Sequence, residues 1–284
     1  MRANEGVFSV AAMSRVLGVT RPGYYAWKRR DPGVRSRVNA VLRVEIRSIF
    51  VASRRTYGSR RIRERLRPLG YRVGRERAAR LMLQEGLRAK RSRRFQATTD
   101  SRNTRVVHEN VLARDFAVGR ANRAWAGDIT HLWTLEGWLY LAVVLDVGTR
   151  RAVGWSFREN LEAELVTGAL EMALGQRPAL PGLICHSDRG SQYGSGEVQA
   201  MLARFQLRGS MSGTGDCWDN AVVESFFASL KTELAAEARW ASRETAKSAV
   251  VEWIEGWYNR TRLHSTLGYL SPAEFERQLA AKTN

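Results

Sequence analysis

A chain of 284 residues that is 44% hydrophobic, with nine Trp, eight Tyr and nine Phe, can build a packed core in two or three domains, which excludes a disordered polyelectrolyte. Its longest continuous apolar run, Trp138 to Leu145, is eight residues, against the roughly 20 that a bilayer span needs. The net charge of +18 is lopsided: residues 1–94 carry 26 Lys and Arg against 6 Asp and Glu, and residues 95–284 carry 20 against 22, so a polyanion-binding front precedes a nearly neutral body.

Along the chain, residues 8–27 predict two short helices. The first ends at Gly18, where glycine accepts a left-handed turn, and the second is capped by Thr20 with Pro22 in its first turn. Residues 1–33 are therefore expected to form a helix-turn-helix-like region, and 36–94 a second, basic helix-turn-helix domain. In the latter, Ser59 is expected to cap a helix through Ile62 and Leu66 that stops near Pro68 and Gly70. Val73 to Glu85 predicts another helix, with Gly86 as its stop. Arg60 and Arg61 on the first helix and Arg72, Arg75, Arg77 and Arg80 on the second are the candidate DNA contacts. Lys90, Arg91, Arg93 and Arg94 make a basic tail suited to gripping a phosphate backbone. The polar stretch 95–118 reads as a linker.

From residue 119 the pattern turns to strands. Trp125 to His131, Trp138 to Asp146 and Arg151 to Phe157 read as three neighbouring strands, Leu161 to Gly175 as a helix, and Gly182 to His186 as a short strand. Asp128 falls on the first strand and Asp188 just past the last. Residues 219–231 read as a helix on which Asn220, Glu224, Phe227 and Lys231 share one face while Val222, Phe226 and Leu230 fall opposite. Three carboxylates suit Mg²⁺ or Mn²⁺. Two such ions about 4 Å apart can activate the attacking oxygen and stabilise the leaving oxygen of a phosphodiester. Most acids of this region are expected to be merely solvated, so the residues alone leave the trio as a candidate. His186 reads as a packed strand-end histidine or a substrate contact, Asp146 as structural, and Asp216 and Asp219 as caps. Glu233 is the rival to Glu224 but faces away from Lys231. Trp125 and Trp218 read as core or stacking supports, and Cys185 and Cys217 as small core fillers.

The motifs Trp125-x-x-Asp128-Ile129-Thr130, His186-Ser187-Asp188-Arg189-Gly190-Ser191-Gln192-Tyr193 and Asp219-Asn220-Ala221-x-x-Glu224-Ser225-Phe226-Phe227-x-x-Leu230-Lys231 are joined by Tyr258-Asn259-Arg260-x-Arg262-x-His264 in the C-terminal region. On these, with 35 residues between Asp188 and Glu224, the chain resembles the second-reading-frame transposases of the IS-three type of bacterial insertion sequences. Their catalytic core is shared with retroviral integrases. The resemblance implies a multidomain chain, with an N-terminal all-α part, an α/β RNase H-like catalytic core at 119–237 and a helical C-terminal region at 238–284. It implies that Asp128, Asp188 and Glu224 bind two divalent metal ions, with Lys231 on the DNA backbone; Asn220, Arg260, Arg262 and His264 are further candidate DNA contacts. It further implies double-stranded DNA as partner (terminal inverted repeats and target), a homo-oligomer on that DNA, and an upstream-frame protein carrying a leucine zipper or a frameshift fusion with it. A cytoplasmic, nucleoid-associated place in a bacterium without membrane contact is expected. A repressor using the core as a scaffold and a nuclease that never joins strands are the alternative readings.

Overall fold

The computed structural model describes residues 1–284 apart from 32, 91–106, 118, 178–179, 214–216, 236–237 and 284, and apart from the side chains of 217, 218 and 283. The expected basic tail at Arg91, Arg93 and Arg94, together with Asp216 and the Trp218 side chain, thus lies outside the described residues.

The front begins with the two anticipated helices. Helix α1 (Val10–Val16) is capped by the Ser9 hydroxyl, which accepts from Ala12 N at 3.2 Å. Gly18 turns the chain at φ +64°, and α2 (Arg21–Arg29) is capped by Thr20, whose hydroxyl accepts from Gly23 N at 3.2 Å. Helix α3 (Val34–Ala52) was not expected. Its Leu42, Ile46 and Phe50 recur at i, i+4 and i+8 and form its buried stripe. Into that stripe pack α4 (Ser59–Leu66) and α5 (Arg75–Gln84) through Ile62, Leu66, Ala78, Leu81 and Met82. Ser59 is the first helical residue rather than the cap: Gly58 holds the cap position and no side chain bonds there. Gly86, at φ +66°, is the expected stop.

A five-stranded sheet follows, in the order β3-β2-β1-β4-β5. Strands β1 (Ala124–Thr134), β2 (Gly137–Asp146) and β3 (Ala152–Arg158) form the anticipated antiparallel meander. Strand β4 (Ile184–Ser187) runs parallel to β1, and β5 (Arg208–Met211) parallel to β4. Helix α6 (Ala163–Gln176) covers one face of the meander, burying Leu165, Val166, Ala169 and Ala173 against Val144 and Val153. Helix α7 (Gly196–Arg204) and strand β5 were not expected. The four residues of β5, Arg-Gly-Ser-Met, carry no strand-favouring side chain and are strand only because β4 offers its edge.

The other face of the sheet is covered by α8 (Ala221–Leu230), whose Val223, Phe226 and Leu230 are buried. Phe227 is buried as well, so the apolar side is broader than the opposition of Phe226 to Phe227 suggested. The helix widens into a π-helical turn over Lys231–Ala235. Helix α9 (Arg243–Glu252) does the same over Trp253–Asn259, and α10 (Pro272–Thr283) closes the chain. Phe226 meets Trp253 and Tyr258 edge to face at centroid distances of 5.4 and 4.7 Å, and those two rings lie tilted to each other at 5.2 Å.

Two contacts correct the picture of a front joined to the core by a linker alone. Residues 107–117 lie against the sheet: the Ser210 hydroxyl accepts from Val111 N and Leu112 N, and Leu112 is buried. The helices of the basic front also share one apolar core with α8 and the C-terminal region. Tyr57 sits beside Trp257 at 5.7 Å, its hydroxyl accepting from Leu263 N at 2.7 Å, while Arg54 lies over Trp257 and pairs with Glu252 at 2.7 Å. Among the described residues no helix is long and apolar enough to cross a membrane.

Candidate active site

Strand register brings the two aspartates level. Strand β4 pairs with β1 only from Ala124 to Ala126, and Ala126 lies opposite His186. Two residues beyond that last pair, one strand carries Asp128 and the other leads into Asp188. Asp128 Oδ1 accepts from Ile129 N at 2.7 Å and Asp188 Oδ1 from Gly190 N at 2.9 Å. Helix α8 crosses β1 on the same face and presents Glu224, partly buried, from its first turn.

Electrostatics ties the three together. Burial pushes the Asp128 carboxyl up to about 8; the charge of Asp188 adds to this and that of Glu224 less so, against a backbone N–H and Lys231. Glu224 is raised by burial and then by Asp188, and Asp188 by burial against the Gly190 N–H. Burial, with the charge of Asp188 acting on both other carboxyls, makes this a site short of positive charge. Oxygen donors alone, partly withdrawn from water, suit a hard divalent cation. Among the described residues, however, no three acidic, His or Cys side chains already stand close enough to enclose an ion.

The wall of the site comes from one residue to which the sequence assigned no role and one to which it assigned another. Tyr193 is buried, and its hydroxyl is held far above its ordinary range by burial and by the charges of Asp128 and Asp188. A Cβ on Gly127 would stand 3.2 Å from that hydroxyl, so the glycine next to Asp128 lets the tyrosine approach β1. The periodicity of the Asp188 loop carries no hint of this contact. Asn220, expected on DNA, is buried and donates from Nδ2 to Gly127 O at 3.1 Å, while its Oδ1 has no hydrogen-bond partner among the described residues. Lys231 is exposed.

The remaining expected residues divide. Arg60, Arg72, Arg75, Arg80 and Arg260 are exposed, and Lys90 is partly so. Arg77 donates twice to Asn39 of α3, and Arg61 is half-buried over the Tyr57 ring at 5.4 Å. Arg262 and His264 are corrections. Arg262 is buried and ion-paired to Glu233 at 2.8 Å, and His264 is buried edge-on to Tyr258 at 4.9 Å, so neither offers its charge to a surface ligand. The same pair explains Glu233: its other oxygen accepts from Trp257 Nε1 at 2.8 Å, and it is structural. His186 is packed, with its two ring nitrogens 2.9 and 3.3 Å from the hydroxyls of Ser210 and Ser212. Asp146 accepts from three backbone N–H groups and Arg177. Asp219 does not cap α8; it ties Arg114, Asn110 and Gly213 together. Cys185 is a free thiol that burial pushes up to about 12.

Helices ahead of a mixed sheet that aligns two aspartates under a helix-borne glutamate describe a DNA-acting integrase core behind a helix-turn-helix-like domain. The family descriptions agree: an HTH-like domain matches residues 37–95, and an integrase core domain matches residues 119–217 and again 206–272. The chain is 43% identical over 277 residues, 97% of its length and 96% of the relative's, to the transposase InsF for insertion sequence IS3A of Escherichia coli strain K12. It is 42% identical over 266 residues, 94% of its length and 98% of the relative's, to an insertion element IS600 31 kDa protein of Shigella sonnei. The chain belongs to the family of IS3 insertion-sequence transposases, and its function is DNA transposition. Among solved structures, the catalytic core domain of BIV integrase overlaps 57% of this chain and 99% of its own at 17% identity and a TM-score of 0.43, which adds nothing to the fold described.

Proposed function

We propose that Asp128, Asp188 and Glu224 are the catalytic carboxylates of this transposase and would together hold two divalent ions, Mg²⁺ or Mn²⁺. The observation that carries this reading is the convergence at Asp128, level with Asp188 across the β1–β4 register, whose carboxyl burial and then the charges of Asp188 and Glu224 push up to about 8. The ions would activate the attacking oxygen and stabilise the leaving oxygen of a DNA phosphodiester. Asp128 and Asp188 are fixed by the strand register and by their backbone N–H partners. Glu224, on a helix, is the member that moves the last distance inward when cation and DNA neutralise the repulsion among the three. Lys231 lies on the DNA backbone beside them, while the exposed arginines of α4 and α5 hold the terminal inverted repeats. On that DNA the protein assembles with further copies of itself, in the bacterial cytoplasm with the nucleoid, alone or fused to an upstream-frame helix-turn-helix and leucine-zipper product.

The test is Asp188→Asn, assayed with a labelled end fragment and Mg²⁺. We expect strand joining to fall by at least 10³-fold, of the order seen when groups that act as one unit are removed, with end binding unchanged. Joining that survives the substitution overturns the carboxylate reading. Wild-type protein that nicks without ever joining indicates a hydrolytic nuclease instead.

A further inference from the structure

Strand β4 leaves β1 after Ala126, and β1 then runs without a strand neighbour on that side until Thr134 bridges to Trp240. Side chains from both faces of β1 border this edge. Asp128 comes from the α8 face. His131 comes from the opposite face, and the charge of Lys231 acts on both.

The register builds a surface around His131. It lies opposite Tyr140, which lies opposite Arg158, and Trp133 lies opposite Trp138 in the next row. Alternation puts all five on the face that α6 covers elsewhere. Here the rings are open: Trp133 is 57% and Trp138 44% exposed. The Trp138 ring is close to perpendicular to those of both His131 and Trp133 at centroid distances of 4.8 Å. The hairpin that carries the rings is also held in place. Thr134 Oγ1 donates to Gly137 O at 2.8 Å, Arg243 Nε to Trp138 O at 3.2 Å, and Arg243 N to the Glu136 carboxylate at 2.8 Å. Arg158 ends the row of His131 and Tyr140, and Lys231 is near enough for its charge to act on His131; both are exposed and without a carboxylate partner among the described residues. Exposed rings on a pinned hairpin, with two exposed cations near them, match a polyanion that carries π-faces. His131 and Trp133 stand about 10 and 16 Å along the strand from Asp128, at about 3.3 Å per residue.

We propose that His131, Trp133 and Trp138, between Arg158 and Lys231, form a stacking platform for unpaired bases of the DNA strand that enters the carboxylate site. Bases splayed from a frayed end rest on the indoles while the two cations hold the adjoining phosphates. The platform rests on the carboxylate reading only for the point at which the strand enters, and its test needs no chemistry.

The full-length protein is titrated in EDTA with a dT12 oligonucleotide and with two end duplexes, one blunt and one carrying a short unpaired tail with 2-aminopurine. Trp133→Ala and the double variant with Trp138→Ala are expected to weaken dT12 and tailed-duplex binding about tenfold or more, the scale of one stacked base. They should also abolish quenching of the 2-aminopurine and leave blunt-duplex affinity unchanged. Trp133→Phe should keep most of the quenching. Unchanged dT12 affinity and quenching in Trp133→Ala, whose exposed ring is not needed for folding, overturn the platform. Equal loss on blunt and tailed duplexes does so too. A fall in oligomer size with dT12 binding intact would assign the rings to a contact with a second copy. Asp188→Asn separates the two readings, because it is expected to quench normally while failing to join strands.

Discussion

Asp128 is costly to keep ionised where it stands, and the sign of that cost gives a test. Its folded carboxyl is raised from 3.8 to about 8, so between those values the folded protein holds a proton that the unfolded chain has released. Stability from this group therefore falls as pH rises from about 4 to 8 in the absence of cations. A divalent ion that binds only the folded site offsets the penalty. We expect the Tm gain on exchanging EDTA for Mg²⁺ to be larger at pH 8 than at pH 5, and to vanish in Asp128→Asn. An equal gain at both pH values, or one that persists in the variant, would place the ion elsewhere. Asp128, Asp188 and Glu224 could be picked out by motif and spacing because each is chemically unlike its neighbours. Tyr193 could not, since its nearness to both aspartates depends on the missing side chain at Gly127. Arg262 was misplaced for a related reason: an arginine in an arginine-rich stretch looks solvated until a buried partner, here Glu233, is found 29 residues earlier.

At the scale of elements, the meander and α6 followed from runs of apolar residues long enough to show their period. The contact between them depends on one residue. A Cβ on Gly154 of β3 would stand 2.1 Å from Ala169 O and 2.8 Å from Ala173 N, both backbone atoms of α6. Gly154→Ala must lift the helix off the sheet, and we expect a loss of about 3 kcal/mol or more, at the upper end of overpacking effects. Chemical denaturation would read it, and a loss below 1 kcal/mol would mean that α6 shifts freely. The elements missed in the sequence fall into two kinds. Strand β5 has no strand propensity of its own and exists by pairing with β4. Helix α3 has its apolar stripe set among seven basic and polar positions, and the charge of that stretch obscured the stripe.

For the molecule as a whole, the basic front is docked rather than tethered. Tyr57 carries much of the joint: it is buried, and its hydroxyl satisfies the Leu263 N–H. Tyr57→Phe leaves that buried donor unpaired, which costs about 1–3 kcal/mol. We expect hydrogen exchange to rise at Leu263 and along the joint, with the sheet amides unchanged. Uniform protection across the molecule would show that the front is held by other contacts. What the residues determined unaided was local or chemical: the charge asymmetry, the helix caps and turns of the front, the apolar period of the meander, and three candidate acids. What only the tertiary structure decided was which of these meet. The parallel register of β1 with β4 sets Asp128 beside Asp188, the Glu233–Arg262 pair withdraws an arginine from DNA, and Tyr57 joins the front to the C-terminal region. Each is a contact between residues far apart in the chain, whose partner is chosen by burial and pairing rather than by any periodicity a sequence displays.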